Sequence, residues 1–193
     1  MNINKIRLVE LFFKLRTTLI NNGKFHLLSD KVISNIETAY FFNNSKSICL
    51  YNHCNSPVIN KLLNNSANYF KNIFVFPKLN DDKLEFYHIS SVNDLVMDKL
   101  GAIDVHPECF QIDIAEIDVI LVSGMAFDHD FNVLNVGDNE ELYKALLNKS
   151  NAIKVGVCFE DQIYRESLPE SEYKVDCLMT EDGLYMPIDV QEV

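Results

Sequence analysis

In Ile117-Asp-Val-Ile-Leu-Val122, followed directly by Ser123-Gly-Met-Ala-Phe-Asp128, β-branched and aliphatic residues run on without polar alternation. A short apolar run of this kind reads as a strand covered on both faces, as found inside a parallel sheet. Working outward, Ser47-Ile-Cys-Leu-Tyr51, Ile73-Phe-Val-Phe76 and Ile153-Lys-Val-Gly-Val-Cys-Phe159 have the same character. The run from Ile73 is expected to stop at Pro77, which offers no N–H to a ladder. Leu84 to Ile89, Val175 to Thr180 and Leu184 to Pro187 read as further short strands.

Helical periodicity flanks these runs. Ile6, Val9 and Phe13, with Leu8, Leu11, Phe12, Leu15 and Leu19, predict an amphipathic helix with a broad buried face from Ile3 to Ile20. Ser29 or Asp30 is placed to cap a second helix carrying Val32, Ile33, Ile36 and Tyr40. Ser56-Pro57 supplies an N-cap and a first-turn proline ahead of Val58, Ile59, Leu62 and Leu63, and Glu140 to Leu147 forms another helix. The alternation predicts an α/β, Rossmann-like layered fold: a mainly parallel sheet with helices on both faces, built as one domain over residues 1–193. The strands near 47–51, 72–76, 118–122 and 153–159 should lie adjacent in its interior. Ligands of such sheets bind beyond the carboxyl ends of the strands, which directs attention to the segments after Tyr51, Pro77, Val122 and Phe159.

Composition narrows the function classes. A formal charge of −11 would repel a phosphate backbone or an anionic bilayer, so neither nucleic acid nor membrane is an expected partner. The apolar N-terminal stretch is interrupted by Lys5, Arg7, Glu10, Lys14 and Arg16, which fits neither a membrane span nor a signal peptide. Cys49, Cys54, Cys109, Cys158 and Cys177 are irregularly spaced and odd in number, as expected of free thiols in a cytoplasmic protein. Cys49, Cys158 and Cys177 sit in apolar runs and read as small core residues. Cys54 follows His53, but sequence neighbours rarely form a nucleophile and base pair.

The turn Ser123-Gly-Met-Ala-Phe-Asp128 after its strand is similar to the P-G-x-A-F-D turn of the 5-formyltetrahydrofolate cyclo-ligases. Further segments follow that family's order: Lys5 and Arg16 in a basic N-terminal helix, the strand ending at Pro77, and Asp94-Leu-Val-Met-Asp-Lys-Leu100. Gly156-Val-Cys-Phe-Glu-Asp-Gln162, Leu168-Pro169 and Val175-Asp-Cys-Leu-Met-Thr-Glu181 complete a resemblance over roughly residues 5 to 182. It implies a conversion of 5-formyltetrahydrofolate to 5,10-methenyltetrahydrofolate with ATP and Mg²⁺. The formyl oxygen is phosphorylated, the other folate nitrogen attacks the activated carbon, and phosphate leaves. Such chemistry needs a cradle for the triphosphate and a cation for its charge.

The family's cradle has the form G-x-R-L-G-x-G-x-G-[YF]-Y-D, and here the corresponding stretch is Phe131-Asn-Val-Leu-Asn-Val-Gly-Asp-Asn-Glu-Glu-Leu-Tyr143. Leu134 and Gly137 match. Val133 replaces the arginine, Phe131, Asn135 and Asn139 replace glycines, and Asp138 adds a carboxylate between Gly137 and Asn139. With two inserted residues, Tyr143 matches the motif tyrosine and Lys144 stands at the aspartate. By resemblance, Lys5, Leu134, Asn135 and Gly137 would lie at ATP. Asn55 and His106, each standing where the family has a glutamate, and Tyr143 would face the folate.

The residues themselves read against a retained triphosphate site. Phosphate cradles use glycine so that backbone N–H groups converge, and this loop keeps Gly137 while adding Asp138, Glu140 and Glu141. Two like charges about 5 Å apart at an effective dielectric near 20 repel by roughly 3 kcal/mol. Asp138 or Asn139 is also placed as N-cap of the helix to Leu147, so that the protein would fill its own anion site. A family member that binds folate or a partner without ATP chemistry is therefore the alternative. Asp128-His129-Asp130 resembles a ligand cluster, yet three adjacent ligands seldom converge on one ion, and a turn in which Asp128 bonds local amides is expected, with no metal site. A monomer is expected, and a partner role would rest on the first helix remaining exposed.

Overall fold

The computed structural model describes residues 3–50, 61–62, 73–80, 83–97, 103–134, 147, 150–169 and 173–187. Among these, the helices α1 (Ile3–Asn21), α2 (Lys24–Thr38) and α3 (Tyr40–Asn44) precede the first strand. Gly23 separates the first two at φ 72°, a left-handed conformation that glycine adopts without Cβ strain. α2 begins before either expected cap: Ser29 lies inside it and its hydroxyl donates to Phe25 O at 2.7 Å. The physical reason is that Phe25 and Leu28 extend the buried face of Val32, Ile33 and Ile36 towards the N-terminus. α1 is amphipathic, but its buried face is narrower than its composition suggested. Phe12 and Leu19 are buried and Leu8 and Leu15 partly so, whereas Ile6, Leu11 and Phe13, expected inside, are exposed.

The strands are β1 (Ser47–Leu50), β2 (Ile73–Asn80), β3 (Lys83–Ile89), β4 (Leu95–Met97), β5 (Ile103–Val105), β6 (Gln111–Ile112), β7 (Val119–Ser123), β8 (Ala126–Asp128), β9 (Val133–Leu134), β10 (Ile153–Val157), β11 (Ile163–Tyr164), β12 (Cys177–Thr180) and β13 (Gly183–Tyr185). The central sheet has the order β13-β12-β10-β7-β1-β2-β3-β6. β12, β10, β7, β1 and β2 run parallel, while β13, β3 and β6 are antiparallel additions. The four strands expected to be neighbours are neighbours. The chain passes from β1 to β2 on one side and later returns to β7 on the other, so the direction of winding reverses between β1 and β7. That is the switch point at which open α/β sheets hold ligands.

One strand ends differently from its sequence reading. β2 does not stop at Pro77 but continues to Asn80, pairing antiparallel with β3 (Pro77 opposite Phe86). Among the described residues the pairing with β1 reaches Val75, and at Pro77 the ladder partner is β3 alone, an arrangement in which a missing N–H is tolerated.

Side-chain alternation divides the core. Ile48, Leu50, Val119, Leu121, Val155, Cys177 and Met179 face α1, α2 and α3, packed with Ile36 and Phe42. Cys49, Val75, Ile120, Val122 and Leu178 face the opposite side, where Phe127, Tyr173 and the helical residue Leu147 cover them. At the amino edge two aspartates bind strand entries: Asp118 Oδ2 accepts from Lys46 N at 2.6 Å and Ser47 N at 3.2 Å, and Asp176 Oδ2 accepts from Lys154 N at 2.7 Å. No helix among the described residues is long and apolar enough to cross a membrane.

Candidate functional site

The carboxyl edge is assembled around a single ring. β7 ends at Ser123 and turns through Gly124 and Met125 into β8, which brings Phe127 back against the sheet, fully buried. A Cβ on Gly124 would stand 2.8 Å from Val133 and 3.0 Å from Phe127; one on Gly156, in the neighbouring β10, would stand 2.7 Å from both Leu178 and Phe127. Both glycines are therefore required by packing against this ring. Gln162 fastens the same corner. Its Nε2 donates to Gly124 O at 3.2 Å and Met125 O at 3.1 Å, and its Oε1 accepts from Phe159 N at 3.0 Å. The turns that leave β7 and β10 are thus held as one unit beside the switch point.

Asp128 organises the next turn. At 1% exposure its carboxylate accepts from Asp130 N (3.0 Å), Asn132 N (2.9 Å), Asn132 Nδ2 (2.9 Å) and Leu168 N (2.8 Å). This is the local amide role expected for it, while His129 and Asp130 are exposed. Among the described residues no group of three or more His, Cys, Asp or Glu is gathered as for a metal ion. Phe131, at the position of the motif's first glycine, has φ 64°, so the left-handed turn is kept without the residue that usually serves it. Phe131 O accepts from Val175 N at 3.0 Å, which holds the turn against the chain entering β12.

Of the residues proposed for ATP, Leu134 is buried at 3% among Phe12, Ala126 and Leu168, and its carbonyl accepts from Met125 N at 2.8 Å. Its side chain is core, leaving only backbone to meet a ligand. Lys5 is partly exposed and precedes Phe12 by seven residues, two helical turns, so it lies on the side of α1 that packs over Leu134. The structure therefore brings together the helix face of Lys5 and the strand leading to Asn135. Asn135 and Gly137 lie outside the described residues, as do Asn55 and Tyr143, proposed for folate. His106, the remaining folate candidate, follows β5 and is exposed. Its N–H donates to Asp94 O at 2.7 Å, and its Nδ1 accepts from Glu108 N at 3.4 Å.

Several groups at this edge were not singled out from sequence. Lys78, on the part of β2 beyond Pro77, pairs with Asp104 at 2.8 Å and ties the β4–β5 hairpin to the main sheet. Reading β2 as ending at Pro77 removed it from view. Past β10, Glu160 N donates to Glu181 Oε2 at 3.0 Å. Burial holds the Glu181 carboxyl above the ordinary carboxylate range, and a hydrogen bond to Glu160 pushes the Tyr185 phenol up. Ser123 Oγ and Glu160 Oε2 are buried without a hydrogen-bond partner among the described residues. They face opposite sides: Ser123 stands opposite Val157, on the α1–α3 side, while Glu160 bonds Tyr185, which packs on the other. The thiols read as core residues are core residues. Cys49 and Cys158 are buried with their pKa values pushed far up by desolvation, and Cys177 is pushed up to about 12 for the same reason.

The fold has solved counterparts. The NMR structure of a 5,10-methenyltetrahydrofolate synthetase from Aquifex aeolicus is similar at a TM-score of 0.84 and 25% identity, over 99% of this chain and 96% of that one. A 5,10-methenyltetrahydrofolate synthetase from Mycoplasma pneumoniae shares the fold at a TM-score of 0.65 and 17% identity, over 93% and 99% of the two chains. No family model matches the sequence, and no curated protein sequence matches it either.

Proposed function

We propose, on the premise that the chain belongs to the 5-formyltetrahydrofolate cyclo-ligase family to which its solved neighbours belong, that residues 1–193 act as one domain on 5-formyltetrahydrofolate at the carboxyl edge of the sheet. The reaction is ATP-dependent closure to 5,10-methenyltetrahydrofolate. The observation that carries this reading is the match to the Aquifex aeolicus synthetase, which extends over 99% of the chain at a TM-score of 0.84. By resemblance Asn55, which follows β1 in the sequence, would face the folate with His106 and Tyr143. Lys5, on the face of α1 that packs over Leu134, would meet phosphates together with the backbone of Asn135 and Gly137. ATP supplies the phosphoryl group that activates the formyl oxygen, and Mg²⁺ neutralises charge on the phosphates.

A second reading is favoured by the loop itself. Phe131 keeps the turn of the motif's first glycine, but of the glycines that would expose converging N–H groups the loop retains Gly137 alone, and Asp138, Glu140 and Glu141 add negative charge. In that reading the protein binds folate without ATP chemistry. Isothermal titration with 5-formyltetrahydrofolate and, separately, with Mg·ATP distinguishes the two. Binding of both, with methenyl absorbance growing over time, supports the cyclo-ligase. Folate binding alone supports the second reading, and in that case the combined variant Asp138→Gly, Glu140→Gly, Glu141→Tyr should raise nucleotide affinity. Failure to bind any reduced folate removes both.

A further inference from the structure

The segments that follow β7 and β10 are joined in two ways. One is a ladder: β8 and β11 pair in parallel, Phe127 opposite Ile163 and Asp128 opposite Tyr164, with the Phe127 ring fully buried. Gly124 and Met125 lie between the end of β7 and that ladder, and there a side chain makes the connection. Gln162 closes the 3₁₀ turn Glu160–Gln162 after β10 and is half-buried. Its Oε1 accepts from Phe159 N at 3.0 Å, three residues back, which fixes the amide plane on its own turn. Its Nε2 then donates across to Gly124 O at 3.2 Å and Met125 O at 3.1 Å. One N–H on one side and two carbonyls on the other define which way the amide points.

A peptide unit is planar, so a carbonyl held in place also fixes the N–H across its bond. The Gly124–Met125 peptide is held at both ends, its oxygen by Gln162 and its nitrogen by Leu134 O at 2.8 Å. The ladder and the Phe127 ring hold the fold at this corner, whereas the amide fixes the stretch of backbone next to the switch point, where open α/β sheets take their ligands. Its chemistry is specific. Methionine fills a similar volume but bonds neither carbonyl, and an ionised glutamate turns acceptors towards acceptors. We infer that Gln162 is a positioning residue for the reduced folate: acting through the Gly124–Met125 backbone, it holds the exit of β7 in the conformation that lines the ligand crevice. This rests on the folate reading and concerns a residue outside the set placed at the ligands by resemblance.

Isothermal titration of the full chain with 5-formyltetrahydrofolate, well below each protein's unfolding midpoint, compares the parent with Gln162→Met and Gln162→Glu. Gln162→Met should bind about tenfold more weakly while keeping the parent's circular dichroism. Gln162→Glu should show the same loss at about pH 8 and recover to within about threefold of the parent at about pH 5. Two facing carbonyls disfavour the ionised carboxylate and raise its pKa, so the neutral form, with an O–H to donate, returns as pH falls. Glu160 and Asp161 on the same turn, and Glu181 bonded to Glu160 N, are common to both chains, so taking the ratio to the parent at each pH removes their titration. An amide with only a structural role would lower the unfolding midpoint and leave the affinity of the folded variants at the parent's value; that result overturns the proposal and keeps the folate reading. An equal loss in Gln162→Glu at both pH values, or its unfolding between them, overturns it as well. Should Gln162→Met not fold, the pH ratio of Gln162→Glu decides. A parent that binds no reduced folate removes the folate reading, and the proposal falls with it.

Discussion

Replacing Asp128 by asparagine should be among the most damaging isosteric changes available in this protein. The carboxylate uses one oxygen for Asp130 N and Asn132 N and the other for Asn132 Nδ2 and Leu168 N. An asparagine keeps one acceptor oxygen and turns an NH₂ group towards the remaining pair of donors, leaving them without a partner. Orphaned donors cost about 1–3 kcal/mol each, and only one of the two is fully buried, so Asp128→Asn should cost roughly 2–4 kcal/mol. With a urea m-value of about 2 kcal/mol/M, the unfolding midpoint would fall by about 1–2 M. Urea titration followed by circular dichroism measures this directly. A midpoint shift below about 0.3 M with unchanged m would refute the claim that this carboxylate organises the turn.

Gly156→Ala should destabilise by about 1–3 kcal/mol because its methyl would approach Phe127 at 2.7 Å, and Phe127→Leu in the same chain should recover part of the loss in a thermal unfolding cycle. Phe131→Gly should be more stable than Phe131→Ala by about 1 kcal/mol, reversing the usual order, because both lose the ring but only alanine keeps a Cβ at φ 64°; equal midpoints would deny that the turn is strained. Glu181 is held above the ordinary carboxylate range by burial, so the folded state prefers it protonated and its cost appears as pH rises from the unfolded-state value through the raised folded one. Glu181→Gln, whose carbonyl can still accept from Glu160 N, should therefore gain midpoint over the parent near pH 7 and lose that advantage below about pH 4; a gain independent of pH would point to packing instead.

The amino-acid sequence by itself determined the interior of the sheet. Continuous apolar runs at Ile48–Leu50, Val119–Val122 and Val155–Val157 can be satisfied only with both faces covered, and such runs pair in parallel between helices. It also determined the local role of Asp128 and the core role of Cys49, Cys158 and Cys177, because a turn aspartate and a thiol within an apolar run each have one inexpensive environment. Tertiary structure decided what depends on partners distant along the chain. Pro77 lies within a strand because β3 pairs with it, opposite Phe86. Leu134 is core because Phe12, more than a hundred residues earlier, packs onto it, whereas Ile6 and Phe13 face outward because Phe12 and Leu19 have already set the helix rotation. Lys78 finds Asp104 and Gln162 finds Gly124 only once strands are ordered in space. Periodicity specifies that a residue has a buried or exposed side, but which of two apolar stripes on one helix is buried is a property of the surface it meets.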